Sequence, residues 1–310
     1  MNIRVTAQTQ TANALATFRR QQSDIARVQG QISTGLRITT PSDAPADYVA
    51  IQQAKASSRR SAAYAQTLND AQTDLNTSAT AIQESNNALV RAKQIAQEGV
   101  DQTLDPNSRQ ALATEVDSLI ARLVQAGNVQ SDGKYLFGGS AVETPPFTVT
   151  SLTPGGQPTG VTYTGADTRA SGLISPNQTV DTKYIGSQVF QKTGADAFAA
   201  LIGLRDTLRD AALTDGQRSA ALTQQVGVVD AARGGLSEAL GEQSAALASI
   251  EAIANRVADL KLNADTRSSD LESTDYAAAV VTLREQDNSF QATLAISARL
   301  FQTSLIDFLR

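Results

Sequence analysis

Residues 64–96 carry a seven-residue repeat, and this repeat limits the possible folds more than any other feature of the chain. One position of the repeat holds mostly large apolar residues and the other holds small ones. The two sets are Leu68, Leu75, Ile82, Leu89 and Ala96, and Ala71, Ser78, Ser85 and Ala92. A mean spacing of about 3.5 residues places both sets on one stripe of an α-helix. The pattern predicts a long helix whose stripe packs against another helix.

The same spacing recurs in two further segments. Asp105 and Pro106 favour a helix start, and Gly127-Asn128 predicts the end of that helix. The seam positions between them are Leu112, Val116, Leu119, Leu123 and Ala126. A second run comprises Leu222, Val226, Val229, Leu236, Leu240, Leu247, Ile250, Ala254 and Val257, with Arg233 and Gln243 as polar interruptions. It predicts a helix of roughly 40 residues, well above the mean of about 11 to 12.

The segment between these helical runs has a different composition. Residues 131–194 contain 10 of the 20 glycines and 5 of the 8 prolines. β-forming runs at 135–137, 147–150, 160–165, 183–186 and 189–190 alternate there with turn residues. We therefore expect a mainly α fold with a small β-rich insertion. The N- and C-terminal segments would form a long antiparallel coiled coil or helical bundle, with the β domain at its distal end.

This interpretation divides the chain into five expected parts. They are an N-terminal core helix at 1–40, the N-terminal half of a helical rod at 41–130, the β-rich outer insertion at 131–194, the C-terminal half of the rod at 195–270, and a C-terminal core helix at 271–310.

The two terminal segments have incomplete seams. In the first, Gln22 and Gln29 occupy alternate core positions beside Phe18 and Ile25, and in the last Asp287 does the same. Polar residues at such positions set register and lower stability. Either the ends pack within a self-contained monomer, or they are marginal alone and become ordered when subunits stack. For the second case the predicted subunit-interface residues are Leu15, Phe18, Ile25, Ile32, Phe290, Leu294, Phe301 and Leu305.

Composition excludes several kinds of chemistry. The chain has no His and no Cys, so imidazole bases, thiol nucleophiles and the usual zinc ligands are absent. The acidic side chains show no calcium-loop spacing, and the glycines form no phosphate loop. A net charge of -5 argues against nucleic-acid binding, and no apolar run is long enough to insert into a membrane. We expect no catalytic residues, no cofactor and no metal, and therefore not an enzyme.

A turn-rich motif comes directly after the first predicted helix. It runs through residues 31–47, Gln-Ile-Ser-Thr-Gly-Leu-Arg-Ile-Thr-Thr-Pro-Ser-Asp-Ala-Pro-Ala-Asp. Gly35 suits a left-handed helix stop, Pro41 and Pro45 prevent the helix from resuming, and Ser42 or Asp43 would cap the next helix. With Arg37, this order of residues resembles the N-terminal motif of the bacterial flagellin superfamily. The Pro-Ser-Asp-x-Pro form is more like its hook-filament junction proteins, the third hook-associated proteins, than like flagellins.

Two further segments carry the same resemblance. Residues 131–147 are similar to the start of the outer domain of the junction proteins, and Asp270–Ala277, with Asp275 and Tyr276, is similar to the start of the last flagellin helix. Two departures are that Ala44 stands where the junction family often has Asp, and that the Phe-Leu-Arg end is similar to flagellin ends.

The resemblance implies a structural role in the bacterial flagellum. The expected partners are the preceding hook-associated protein at the hook end, flagellin, copies of the chain itself in a ring, and an export chaperone. The expected location is extracellular, after export by the flagellar type III route without a cleaved signal peptide. A lack of thiols suits export as an unfolded chain. The alternatives are a flagellin that forms the filament itself and, from another class, a cytosolic coiled-coil adaptor.

Overall fold

The structure is a computed structural model that describes residues 7–101, 104–153, 156–175 and 178–308. Within these ranges, side chains are described for residue 9 and from residue 12 to residue 298, apart from Ser151. The chain divides into two compact units. One consists of the chain up to Arg60 together with the chain from Leu260 onward, and the other is Ser61–Asp259.

Long helices dominate the described part of the chain. They are α1 Ala7–Thr34, α2 Pro45–Gly99, α3 Pro106–Gly127, α4 Gly186–Phe190, α5 Ala197–Arg209, α6 Asp215–Glu272 and α7 Tyr276–Phe308. The strands are short: β1 Gln130–Ser131, β2 Lys134–Tyr135, β3 Phe147–Leu152, β4 Pro158–Tyr163, β5 Ser171–Ser175, β6 Gln178–Asp181, β7 Gln191–Lys192 and β8 Ala195–Asp196. The predicted fold class, mainly α with small β elements, is confirmed. Over the described residues, no helix is both long enough and apolar enough to cross a bilayer.

The heptad stripe of α2 is buried as its pattern indicates. Its large seam residues and its small ones are at most 2% exposed. In the second unit, two polar contacts show that α6 runs antiparallel to α2: Lys93 Nζ lies 2.6 Å from Asp230 Oδ2, and Ser78 Oγ lies 3.2 Å from Gln243 Oε1. Small side chains on one half of the stripe allow the large side chains of the facing helix to fill the space between the two helices.

Asp105 and Pro106 start α3 as predicted. The Asp105 carboxylate accepts hydrogen bonds from the backbone N–H groups of Asn107 and Ser108, and Pro106 occupies the first helical position. The helix ends at Gly127, with Asn128 as its C-cap. Arg91 of α2 joins α3 through two hydrogen bonds, at 2.6 and 2.9 Å, to the carboxylate of Glu115.

The β-rich part consists, among the described residues, of separate antiparallel hairpins: β1–β2, β3–β4, β5–β6 and β7–β8. Asp132 and Gly133, with φ of 50° and 74°, form the two-residue turn of the first hairpin. An aromatic cluster lies beneath the hairpins, with Phe147 at its centre. Its ring centroid is 5.4 Å from that of Phe190 and 5.1 Å from that of Phe198. Much of the chain's scarce aromatic content therefore lies in this one core.

Two local predictions differ from the structure. Val189 and Phe190 are β-forming residues, yet they lie in the short helix α4, where both are buried. The sequence does not predict the hairpin β5–β6, because this segment has few β-forming residues and is rich in Ser, Gly, Gln and Thr. In both places tertiary packing overrides a weak local propensity.

Buried charges attach the hairpins to the helices of the second unit. The ammonium of Lys183 is paired with the carboxylate of Asp74 on α2, and both side chains are almost fully buried. On α5, the Arg205 guanidinium is 1% exposed and donates to Asp206 Oδ1 at 2.6 Å and to the backbone oxygen of Pro158 at 2.5 Å. Breaking such a buried pair from one side leaves an uncompensated charge, so these contacts hold the hairpins in one position.

Candidate assembly surface of the terminal helices

The first unit is organised around the antiparallel pairing of α1 with α7. The rings of Phe18 and Phe290 meet edge to face, with centroids 5.8 Å apart and an interplanar angle of 82°. One turn away, Gln21 Nε2 donates to Thr293 Oγ1 at 3.1 Å. These contacts set the register, and they bring the two terminal segments of the chain together.

The seam between α1 and α7 is only partly apolar. The partly or fully buried residues recur at 4-3 spacing: Ala14, Phe18, Gln21, Ile25, Val28 and Ile32 on α1, and Ala279, Leu283, Gln286, Phe290, Thr293 and Ser297 on α7. The side-chain oxygens of Gln21 and Gln286 are buried without a hydrogen-bond partner among the described residues. An unsatisfied buried acceptor costs about 1 to 3 kcal/mol. The pair therefore has less stability than its length suggests.

Two of the predicted interface residues lie outside the seam between α1 and α7. Phe18, Ile25, Ile32 and Phe290 lie in the seam as the pattern indicates, but Leu15 and Leu294 are 51% and 45% exposed. The positions actually used are one residue earlier, at Ala14 and Thr293. The seven-residue spacing fits either set of positions, and the larger size of the leucines favoured their assignment to the seam. The structure instead buries small and polar side chains, which let the two helices approach closely.

The displaced residues form a second surface, which we call the flanking face: Leu15, Gln22, Gln29, Val280, Asp287 and Leu294. Each comes one position after a seam residue and is exposed. In an antiparallel pair, a rotation of about 100° per residue from the seam leads to the same side on both helices. Leu15, Val280 and Leu294 thus place apolar surface in water on one side of the pair, with Asp287 between the latter two along α7.

The turn after α1 is built on Gly35. Its φ of +72° gives a left-handed helix stop, and its N–H donates to the backbone oxygen of Gln31 at 2.9 Å. The Gly35 oxygen accepts from the N–H of Thr274, in the second turn of this unit, also at 2.9 Å. Tyr276 places its phenol oxygen against Gly35. The turn before α2 therefore stacks on the turn before α7.

Arg37 joins the same two turns. Its backbone N–H donates to the backbone oxygen of Glu272 at 2.6 Å, and its guanidinium donates to the backbone oxygen of Leu271 at 2.9 Å. The guanidinium also lies 3.3 Å from the carboxylate of Asp47. A planar group with several donors suits this bridging position better than an ammonium does.

Asp43 accepts hydrogen bonds from residues that precede it in the turn, whereas the sequence predicts that Ser42 or Asp43 caps α2. Its carboxylate accepts from the backbone N–H groups of Thr39 and Thr40, at 2.9 and 2.8 Å, and from both threonine hydroxyls. These hydrogen bonds favour the charged form and lower the pKa of Asp43 to about 2. Pro41 is exposed within the turn, and Pro45 is the first residue of α2.

At the other turn, Asp275 caps α7 by accepting from the N–H groups of Ala277 and Ala278. The structure thus brings the motif residues Gly35, Arg37, Asp275 and Tyr276 into one cluster. Phe301 and Leu305, both predicted at the interface, lie outside the residues whose side chains are described. Gln21, Val28 and Gln286 were missed, and only the correct seam register would have revealed them. Within the described part of the chain, no three acidic side chains converge on a possible metal position.

Comparison with known proteins relates the N-terminal helices of this chain to a known protein family. The model of the bacterial flagellin N-terminal helical region matches residues 5–142. Over this N-terminal region the chain resembles the bacterial flagellin superfamily. Among curated proteins, flagellar hook-associated protein 3 of Salmonella typhimurium is 26% identical over 204 residues, which make up 63% of this chain and 59% of that relative. The match therefore spans less than two thirds of the relative's length.

Solved structures of flagellar proteins share the fold. A structure described as a flagellar hook-associated protein of Vibrio parahaemolyticus superposes with a TM-score of 0.66 at 17% identity, covering 74% of this chain and 100% of that one. The flagellar junction protein of Legionella pneumophila superposes with a TM-score of 0.57 at 14% identity, covering 72% and 99%. At these identities the likeness concerns the fold alone.

Proposed function

We propose that the chain is a structural, non-enzymatic subunit of the bacterial flagellum that joins the hook to the flagellin filament. The observation that carries the proposal is the α1–α7 pair. It brings both terminal segments into one helical element with a weak seam, and its flanking face leaves Leu15, Val280 and Leu294 exposed. The names of the similar proteins, hook-associated protein 3 and flagellar junction protein, favour the junction role over that of the filament subunit.

An exposed apolar stripe is stabilised when a partner molecule covers it. Each leucine moved from water into an interface contributes about 1.5 to 3 kcal/mol when fully buried. A seam that contains Gln21, Gln286 and Thr293 leaves the pair little stability of its own. Contacts with neighbouring molecules along the flanking face would therefore stabilise the terminal helices, and Asp287 in the middle of the face would select a partner that offers a hydrogen-bond donor.

The partners in this proposal have defined places. A hook-associated protein lies on the hook side, flagellin on the filament side, and copies of the chain form a ring between them. Leu15 and Leu294 contact a neighbour in that ring. Phe301 and Leu305, whose side chains lie outside the described residues, stay predicted subunit contacts. The protein is extracellular, and it reaches the flagellum by the type III route with an export chaperone.

Deletion of the gene tests the role directly. We expect cells that keep hooks, lack filaments and release monomeric flagellin into the medium, with filaments restored by the wild-type gene. Normal filaments in the deletion strain would contradict the proposal and would favour an adaptor role elsewhere.

Stoichiometry separates the junction role from that of a filament subunit. Quantitative mass spectrometry of sheared flagella should find this chain at the level of a single ring per flagellum, far below flagellin. If the chain is the bulk component of the filament, the junction assignment is wrong, although the resemblance to flagellins is unaffected.

A further inference from the structure

A polar layer interrupts the apolar seam between α2 and α6 in the second unit. Ser78 is 1% exposed and Gln243 is 2% exposed, with the Ser78 hydroxyl 3.2 Å from Gln243 Oε1. On α2 the neighbouring large layers are Leu75 and Ile82, which are 2% and 0% exposed. Gln243 is thus a long polar side chain at a core position of a long helix pair.

The donors and acceptors of this polar layer cannot all form hydrogen bonds. The single proton of the Ser78 hydroxyl has two acceptors within reach, the backbone oxygen of Leu75 at 3.0 Å and Gln243 Oε1. Gln243 Nε2 is buried with no partner among the described residues. If the amide is turned by 180°, Nε2 donates to Ser78 and the serine proton goes to Leu75, but Oε1 is then unpaired. In either orientation one amide atom is buried unsatisfied.

Such a layer lowers stability compared with an apolar residue of similar size. The layer instead favours one register of α2 against α6 over the alternatives. The alternation of large and small residues on α2 repeats every seven residues, so a slip of one heptad preserves the apolar packing. A slip toward Ala71 would leave the whole Gln243 amide without a hydrogen bond.

A slip in the other direction is opposed by a second contact. It would set Gln243 against Ser85, whose hydroxyl already donates to the backbone oxygen of Ala81 at 2.7 Å. The same slip would separate Lys93 from Asp230, whose charged groups are 2.6 Å apart. The polar layer therefore opposes a slip toward Ala71, and the ion pair opposes a slip in either direction.

We propose that the Ser78–Gln243 layer and the Lys93–Asp230 pair together set the register of α2 against α6 and keep these helices paired within one chain. The device acts in the second unit and is independent of the proposed junction role.

Equilibrium unfolding in urea tests the predicted effect of the Ser78–Gln243 layer on stability. Gln243→Leu should raise the folding equilibrium constant about tenfold, because an unsatisfied amide is removed. Ser78→Ala should lower it about tenfold, because it removes the hydrogen-bond partner that the structure gives Gln243. Ser85→Ala is the matched control: Ser85 is equally buried, but its hydroxyl bonds to its own helix, so a change of less than about threefold is expected. A Gln243→Leu protein less stable than wild type would overturn the proposal.

Distance measurement tests the register itself. The chain has no Cys, so spin labels at Asn76→Cys on α2 and Ser244→Cys on α6, both exposed positions, report one defined pair by electron resonance. The labelled parent should give one narrow distance and sediment as a monomer. In Gln243→Leu combined with Asp230→Ala, some molecules should have α6 shifted along α2 by about 10 Å, one heptad of helix rise. This shift adds a second, longer distance between the labels. Formation of dimers is the other expected result. A folded double variant that stays monomeric with a single unshifted distance would overturn the proposal.

Discussion

The phenol oxygen of Tyr276 lies 2.7 Å from the position that a Cβ would take on Gly35, where the backbone has a φ of +72°. Gly35 therefore satisfies two requirements at once, a left-handed helix stop and close contact with the turn before α7. This relationship links the motif after α1 to the motif before α7, although the two motifs lie near opposite ends of the sequence.

Replacing this glycine should destabilise the terminal unit. Gly35→Ala should cost about 1 to 2 kcal/mol from the backbone conformation alone, with an additional loss because Tyr276 must move. The matched control is Gly30→Ala in α1, where a Cβ meets nothing within 4 Å, and a gain of about 0.5 to 1 kcal/mol is expected. Hydrogen exchange of α1 and α7 measures both. Equal protection in the two variants would show that Gly35 has no special role.

Asp43 should give the turn after α1 a defined pH dependence. Its pKa in the folded protein is about 2, lowered from 3.8 by the hydrogen bonds from Thr39 and Thr40. Because the folded-state pKa is depressed, the stabilisation is fully present above pH about 4 and is lost as the pH falls toward 2. Asp43→Asn should therefore be less stable than wild type at pH 6, and the difference should shrink between pH 4 and 2. Thermal unfolding of both proteins across this range is the measurement, and parallel pH profiles would contradict the assignment.

Leu294 should matter for assembly rather than for folding. It is 45% exposed on the flanking face, so Leu294→Asp should leave the circular dichroism and the unfolding midpoint almost unchanged while reducing filament attachment in cells. Ile296 is 60% exposed on the same helix, but it projects about 200° away. Ile296→Asp is the control and should retain more filaments. If both variants assemble equally well, the flanking face is not the contact surface.

Arg205 should be difficult to replace even by lysine. Its buried guanidinium contacts Asp206, Asp117 and the Pro158 backbone oxygen, and a single ammonium cannot reach all three. Arg205→Lys should cost about 1 to 3 kcal/mol, because it keeps the charge but leaves at least one buried acceptor without its donor. The exposed Arg122→Lys, on α3, should change stability by less than about 0.5 kcal/mol. Urea unfolding of the two variants makes the comparison, and similar midpoints would show that the buried contacts contribute little.

The sequence predicted most accurately where local and long-range preferences agree. The α2 stripe alternates large and small residues from Leu68 to Ala92, and every member is buried. Asp105, Pro106 and Gly35 act through the backbone within a few residues, so their roles could be inferred without any knowledge of the fold. The hairpin β5–β6 has no such local signal, and it depends on the close approach of Gly172 to Thr67 of α2.

For the terminal helices, the sequence predicts the pairing but not which stripe of each helix is buried. Their heptad spacing determined that α1 and α7 would pair, but two adjacent sets of positions fit the spacing equally well. Choosing between them requires the facing helix, because the close approach that buries Ala14 and Thr293 exists only once the two backbones are side by side. The sequence by itself thus determined long paired helices, their capped ends and an inserted β-rich segment. The tertiary structure alone decided which stripe is buried and which leucines are left in water, because burial is a property of the packed pair and not of either helix.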